Sequence, residues 1–276
     1  MNHSHSLQAI VIGLGLCFAS TACSGGDSQD QDQQESQDLA GIKQPPATDG
    51  FKEGDSEPHG QLDAVTLYEI GLRHLREGHP EAAVEHLDRA LALEKSNPRI
   101  YDARSSALFA MGQLTEALAS SEAAVKLLST DAGLRVNRGL LYVEFGRKKE
   151  AFADYEEALK LSPGFAPAHY NRGVLYFMQA DNDLALAEFS AAITSQPELA
   201  NPYFNRAMVQ ETLGNLDAAK TDMAAFLQRT SNEQHQNLAH TLLKRWADGV
   251  GEVEIDPSEI VESPHIPPPG AGTEEK

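Results

Sequence analysis

Residues 132–165 read AGLRVNRGLLYVEFGRKKEAFADYEEALKLSPGF, and residues 166–199, following without a gap, read APAHYNRGVLYFMQADNDLALAEFSAAITSQPEL. Shifted by 34 residues, the first stretch lands on the second with Asn137 on Asn171, Gly139 on Gly173, Tyr142 on Tyr176 and Ala151 on Ala185. The same shift carries the register outward in both directions. Alanine occupies 83, 117, 151, 185 and 219, and a second column holds Ala90, Ala124, Ala158, Ala192 and Phe226. A third is uniformly small: Gly71, Ser105, Gly139, Gly173 and Ala207. Three aligned columns without an insertion establish an internal repeat, and a period in this range is the signature of stacked supersecondary units.

The columns have a geometric meaning. Numbering each unit from its first residue, a small residue at position 8 on a first helix and another at position 20 on a second let two helices approach within the usual 8–10 Å. Gly78, Gly112, Gly146 and Gly214 recur at position 15, where a glycine past a helix end takes the left-handed conformation that caps it. The fourth unit has Ala180 there, and Asp181 and Asn182, which tolerate that conformation, are expected to take over the turn. Pro163 and Pro197 stand where each second helix must stop. The units are 64–97, 98–131, 132–165, 166–199 and 200–233. Beyond them Ser231 and Gln234 are spaced as a capping box for one more helix over 234–248. Its stripe of Leu238, Leu242, Leu243 and Trp246 suits the cover that the open end of a stacked array needs.

Small residues at 8, tyrosines 142 and 176 at 11, alanine at 20, aromatics 155 and 189 at 24, alanine at 27 and proline at 32 together resemble the tetratricopeptide repeat (TPR) family. The resemblance covers residues 64–231 and implies an all-α fold: a right-handed superhelix of five helix-turn-helix repeats plus a C-terminal capping helix. It further implies a concave face lined by first-helix positions 2, 5, 6, 9 and 12. Position 6 is Asn137, Asn171 and Asn205 in successive units, and an amide that donates and accepts pairs with a peptide backbone without reading its sequence. First helices about 10 Å apart would meet an extended strand about every third residue, which resembles the asparagine ladders of some peptide-binding members. Tyr170, Phe204, Met208 and Phe177 would supply apolar pockets beside the ladder. Asparagine is also frequent at this position of the family as a mere surface residue, and that reading stays open. Position 7 carries Arg104, Arg138, Arg172 and Arg206, and position 23 carries Asp154, Glu188 and Asp222 in the last three units. These charges are expected to pair within a unit, with the arginine stem packed between helices. The carboxylate-clamp members of the family need bases on the concave face, where Arg99 alone is one.

The formal net charge of −19 is concentrated in the ends: nine acidic residues against two lysines over 24–60, seven against one over 249–276. With no basic patch, nucleic acid is not an expected partner. Both cysteines, Cys17 and Cys23, lie near the start, so neither a disulfide framework nor a thiolate metal site stabilises the repeats. Residues 7–22 are apolar but short for a membrane span, and suit the core of a secretory signal over 1–22. Small residues 19–22 before Cys23 resemble a bacterial lipoprotein signal. That implies a lipidated (palmitate-bearing) Cys23 holding the protein in a lipid bilayer, as an outer-membrane lipoprotein facing the periplasm. Ser20 replaces the family's leucine, and the leading segment has no lysine or arginine. Ordinary cleavage after Ala22, giving a periplasmic or secreted protein, is the alternative, with an uncleaved anchor a third. Residues 23–63 read as an acidic linker too polar to fold, and 249–276 as an extended proline-rich tail.

No Gly-x-Ser-x-Gly elbow, phosphate loop or histidine pair at i, i+4 occurs, and His74, His86 and His169 fall on repeat positions. No catalytic residue, metal or cofactor is expected. The expected function is a non-catalytic scaffold or adaptor that binds an extended segment of a protein partner in the concave groove, in a layout similar to that of outer-membrane TPR lipoproteins. The alternative is a structural scaffold assembling through its convex face or its ends.

Overall fold

The computed structural model describes residues 62–248, and Cys23, the signal, most of the linker and the tail lie outside them. Among the described residues there are eleven α-helices and no strand. The first ten form five pairs: α1 (Ala64–Arg76) with α2 (Pro80–Leu93), α3 (Pro98–Ala110) with α4 (Leu114–Leu127), α5 (Ala132–Glu144) with α6 (Lys148–Leu161), α7 (Ala166–Met178) with α8 (Asn182–Ser195), and α9 (Ala200–Thr212) with α10 (Leu216–Leu227). The last helix, α11 (Glu233–Asp248), follows α10. Each helix packs on its sequence neighbours, and the all-α helical stack expected from the repeat is the fold observed. None of these helices is long and apolar enough to cross a membrane.

Local chemistry explains where each helix begins and ends. Asp63, Asn97 and Asp131 accept the backbone N–H of Thr66, Arg99 and Leu134, capping the first helices of three units. All five second helices carry an acidic residue in the first turn (Glu81, Glu116, Glu150, Asp183, Asp217), where the helix dipole favours it. The turn inside each unit closes with a backbone bond spanning five residues, such as Arg147 N–H to Tyr142 C=O at 2.7 Å. Gly78, Gly112, Gly146 and Gly214 take φ between 69° and 78° there. In the fourth unit the expectation fails in detail. Ala180 itself adopts φ 62°, and Asp181 and Asn182 do not. The closing bond from Asp181 N–H to Tyr176 C=O is kept at 3.0 Å, so the hairpin geometry overrides the alanine's preference.

The alanine columns at positions 20 and 27 are wholly buried in every unit, with Phe226 ending the second column. The small column at position 8 lies against position 20, as expected, and makes room for a second neighbour as well. A Cβ on Gly139 would lie 2.4 Å from the ring of Tyr155, one on Gly173 2.8 Å from Phe189, and one on Gly71 2.7 Å from Leu87. All three partners sit at position 24, so glycine there makes room for a large side chain of the facing helix. In the two units without glycine at position 8, Ser105 is matched with Ser121 at position 24 and Ala207 with Met223, neither of them aromatic. Ser105 also donates to the Ala117 carbonyl at 2.8 Å, a direct tie from position 8 to position 20.

At the C-terminal end α11 covers the last pair. Leu242 and Trp246 are buried in one cluster with Phe226 and Met223. The expected Ser231–Gln234 box does not form. Asn232 caps instead, its Oδ1 accepting His235 N–H at 3.1 Å, and the helix runs from Glu233.

Candidate functional site

The first helices of successive units touch one another (α1 with α3, α5 with α7, α7 with α9), so they form one continuous face of the stack. Position 6 lies on it, and there the asparagines hold neighbouring units together. Asn137 Nδ2 donates to Asp102 Oδ1 at 2.9 Å, and Asn205 Nδ2 donates to the Tyr170 hydroxyl at 2.9 Å. In both cases position 6 of one unit ties to position 5 of the unit before it. The bond fixes the amide plane and hence the direction of its carbonyl oxygen. Asn205 Oδ1 is buried without a hydrogen-bond partner. Asn137, Asn171, Asn205, Tyr170, Phe204, Met208 and Phe177 are all buried, at 4% exposure or less. None of these side chains is therefore open to solvent on that face, whereas Arg99 on α3 and Glu144 on α5 are exposed.

Asp102 is a member of this face that the sequence reading passed over as one polar residue among apolar ones. Burial pushes its carboxyl up to about 6, against the pull of the Asn137 amide, and nearby Asp131 adds to the rise. A neighbouring signal was legible: Asn137 stands one repeat plus one residue after Asp102, the spacing that also joins Tyr170 to Asn205. At the far end Trp246 Nε1 donates to Glu211 Oε1 at 2.6 Å, and Arg245 also donates to that carboxylate. Position 12 of the last unit is thus claimed by the capping helix.

The arginine column binds the second helices, as expected. Arg138 holds Asp154 and Arg206 holds Asp222, each through two bonds of 2.7 and 2.8 Å, and Arg172 meets Glu188 at 2.6 Å. The Asp154 and Asp222 carboxylates raise Arg138 and Arg206 above the ordinary guanidinium value. Arg104, whose position-23 partner is Ser120, reaches back to Asp88 of the preceding unit at 2.5 Å. Arg206 makes the equivalent reach to Ser190 at 3.0 Å, so these arginines join neighbouring units as well as the helices of one. His169 bridges Glu188 and the Pro163 carbonyl, a packing role for a histidine at a repeat position.

Tetratricopeptide repeat models match residues 68–132 and 200–232, and a TPR repeat model matches 139–179, together just over half of the chain. No curated protein matches it. Among solved structures, PilW, described as a widely conserved type IV pilus biogenesis factor, is 18% identical with a TM-score of 0.61, over 68% of this chain and 87% of that one. Pseudomonas aeruginosa PilF is 19% identical with a TM-score of 0.60, over 67% and 84%. TTC0263 of Thermus thermophilus, a thermophilic TPR protein, is 20% identical with a TM-score of 0.57, over 67% and 97%. At these identities the likeness is one of fold. Period, hairpin geometry and matched models agree: the chain belongs to the tetratricopeptide repeat family.

Proposed function

We propose that this protein is a non-catalytic adaptor whose first-helix face docks an extended segment of a partner protein, and that it is tethered in the bacterial cell envelope through a lipid on Cys23. The observation that carries the docking reading is the amide network of position 6. The bonds to the preceding unit hold the amides of Asn137 and Asn205 in fixed directions, two repeats apart. A buried acceptor without a donor costs about 1–3 kcal/mol, and Asn205 Oδ1 is one. All of these side chains are buried, so a docking strand must displace what covers them; its backbone N–H would then satisfy that oxygen, with Tyr170, Phe204, Met208 and Phe177 as apolar neighbours. Asn171→Ala combined with Asn205→Ala is expected to abolish partner capture in crosslinking from intact cells while the circular dichroism stays helical. Undiminished capture by a folded double variant would refute the ladder.

A second reading has an observation of its own. Leu93, Leu127 and Leu161, the last residues of α2, α4 and α6, stand one repeat apart and are 57%, 44% and 43% exposed. Such a row suits assembly through the second-helix face, with the groove idle. Under that reading Leu127→Glu, not the asparagine variants, would lower the assembly state in sedimentation. The tether has a separate test: Cys23→Ser should move the protein from the membrane fraction to the soluble one, and unchanged fractionation would remove the lipid from the proposal.

A further inference from the structure

The first unit differs from the other four at its turn, in chemistry but not in shape. Its turn bears His74 at position 11, Glu77 at 14 and His79 at 16. The other units place leucine, tyrosine or glutamine at 11, apolar residues or glutamine at 14, and Gln113, Arg147, Asp181 or Asn215 at 16. The backbone is the same closed hairpin, with Gly78 at φ 77° and His79 N–H bonded to His74 C=O at 2.8 Å. It brings His74 Nδ1 and His79 Nδ1 each to 3.8 Å from Glu77 Oε2, and three ligand-type atoms lie within 4.8 Å of one another. These separations are too long for hydrogen bonds, and His74 Nδ1 is buried with no hydrogen-bond partner at all. An orphaned buried imidazole nitrogen facing a carboxylate and a second imidazole calls for an explanation that packing does not supply.

We propose that His74, Glu77 and His79 form a binding site for a divalent transition cation of the zinc type, which clips the end of α1 to the start of α2. Two imidazole nitrogens and one carboxylate oxygen are a donor set that zinc accepts, leaving a fourth position for water. Imidazole donors disfavour magnesium and calcium, which take oxygen. Tetrahedral bonds of about 2.0–2.1 Å put ligand atoms about 3.3 Å apart, so the observed triangle must close by a few tenths of an ångström and more at its widest edge. His79 and Glu77 are free to do this, being 64% and 50% exposed, and His79 makes no side-chain cap bond. His86 backs the site. Its ring packs against that of His74 with centroids 5.1 Å apart, and its Nδ1 donates to the Ala82 carbonyl at 2.9 Å, which orients it.

The test is a calorimetric titration of the chelator-treated full chain with zinc ion alone, repeated with cobalt ion to read the visible band of a tetrahedral site. We expect one site with micromolar affinity, weakened at least tenfold in both H79A and E77Q and unchanged in H240A. Zinc should also raise the melting temperature of the wild type and leave that of H79A where it was. No heat and no cobalt band at millimolar metal would overturn the proposal, and so would binding of equal strength in H79A and E77Q.

Discussion

Single residues in this protein are governed by exchange of volume across one contact. Position 8 and position 24 are matched as glycine with leucine, tyrosine or phenylalanine, serine with serine, and alanine with methionine. Gly139→Ala gains helix propensity of about 1 kcal/mol but forces a Cβ to 2.4 Å from the wholly buried Tyr155 ring. Overpacking of this kind costs about 1–3 kcal/mol, so urea denaturation should show a net loss. In a Tyr155→Met background, which reproduces the Ala207–Met223 pairing, the same substitution should be close to neutral or favourable. Equal losses in the two backgrounds would mean that the contact is not the cause. Asp102 makes a second prediction. Its folded value of about 6 lies above the ordinary 3.8, so the folded state holds the proton more tightly than the unfolded chain does. Its contribution is therefore complete below about pH 4 and is lost as pH rises through 6. Asp102→Asn keeps an acceptor for Asn137 and cannot ionise. It should be more stable than wild type at pH 7.5, with the difference vanishing toward pH 4. A difference independent of pH would show that Asp102 is not the titrating group.

Between helices, the arginine column decides how the elements are fastened. Arg138, Arg172 and Arg206 each reach a carboxylate across their own helix pair, Arg104 reaches Ser120, and Arg104 and Arg206 also reach into the preceding unit. Breaking such a pair by removing the acid leaves a half-buried guanidinium without its counter-charge. Asp154 is 5% exposed and Arg138 20%, so Asp154→Ala should cost about 3 kcal/mol, the lower end of the range for buried pairs. Arg135, whose Nη1 lies 3.7 Å from the same carboxylate, loses a neighbour too. Replacing both Arg138 and Asp154 by apolar residues should cost less than the single change, which a double-mutant cycle in urea measures. A sum equal to the two single losses would argue against coupling. This pairing could be read from the recurrence of arginine 16 residues before an acid. The reach into the neighbouring unit could not, because that depends on how adjacent pairs are placed in space.

Across the full stack, units are stable through their neighbours, so the ends are the weak points. Trp246 joins α11 to the core cluster of the last two units and is anchored by Glu211. Trp246→Ala should cost about 3–5 kcal/mol in the last units. Hydrogen exchange should rise first over 200–248 and leave 64–130 protected, whereas uniform loss of protection would mean that the stack unfolds as one. Residue order alone sufficed for the period, the helical class, the buried alanine columns, the arginine pairing and the need for a terminal cover. All of these follow from spacing, and an uninterrupted repeat preserves spacing along the chain. Other features emerged only from the folded coordinates: Ala180 takes the strained turn, Asn232 caps α11, and the glycines serve position 24. The ties of the asparagines to the unit before them, and the convergence of His74, Glu77 and His79, are of the same kind. Each is settled by distances between side chains on different helices or across a turn, where backbone geometry imposed by packing outweighs the preference of any one residue.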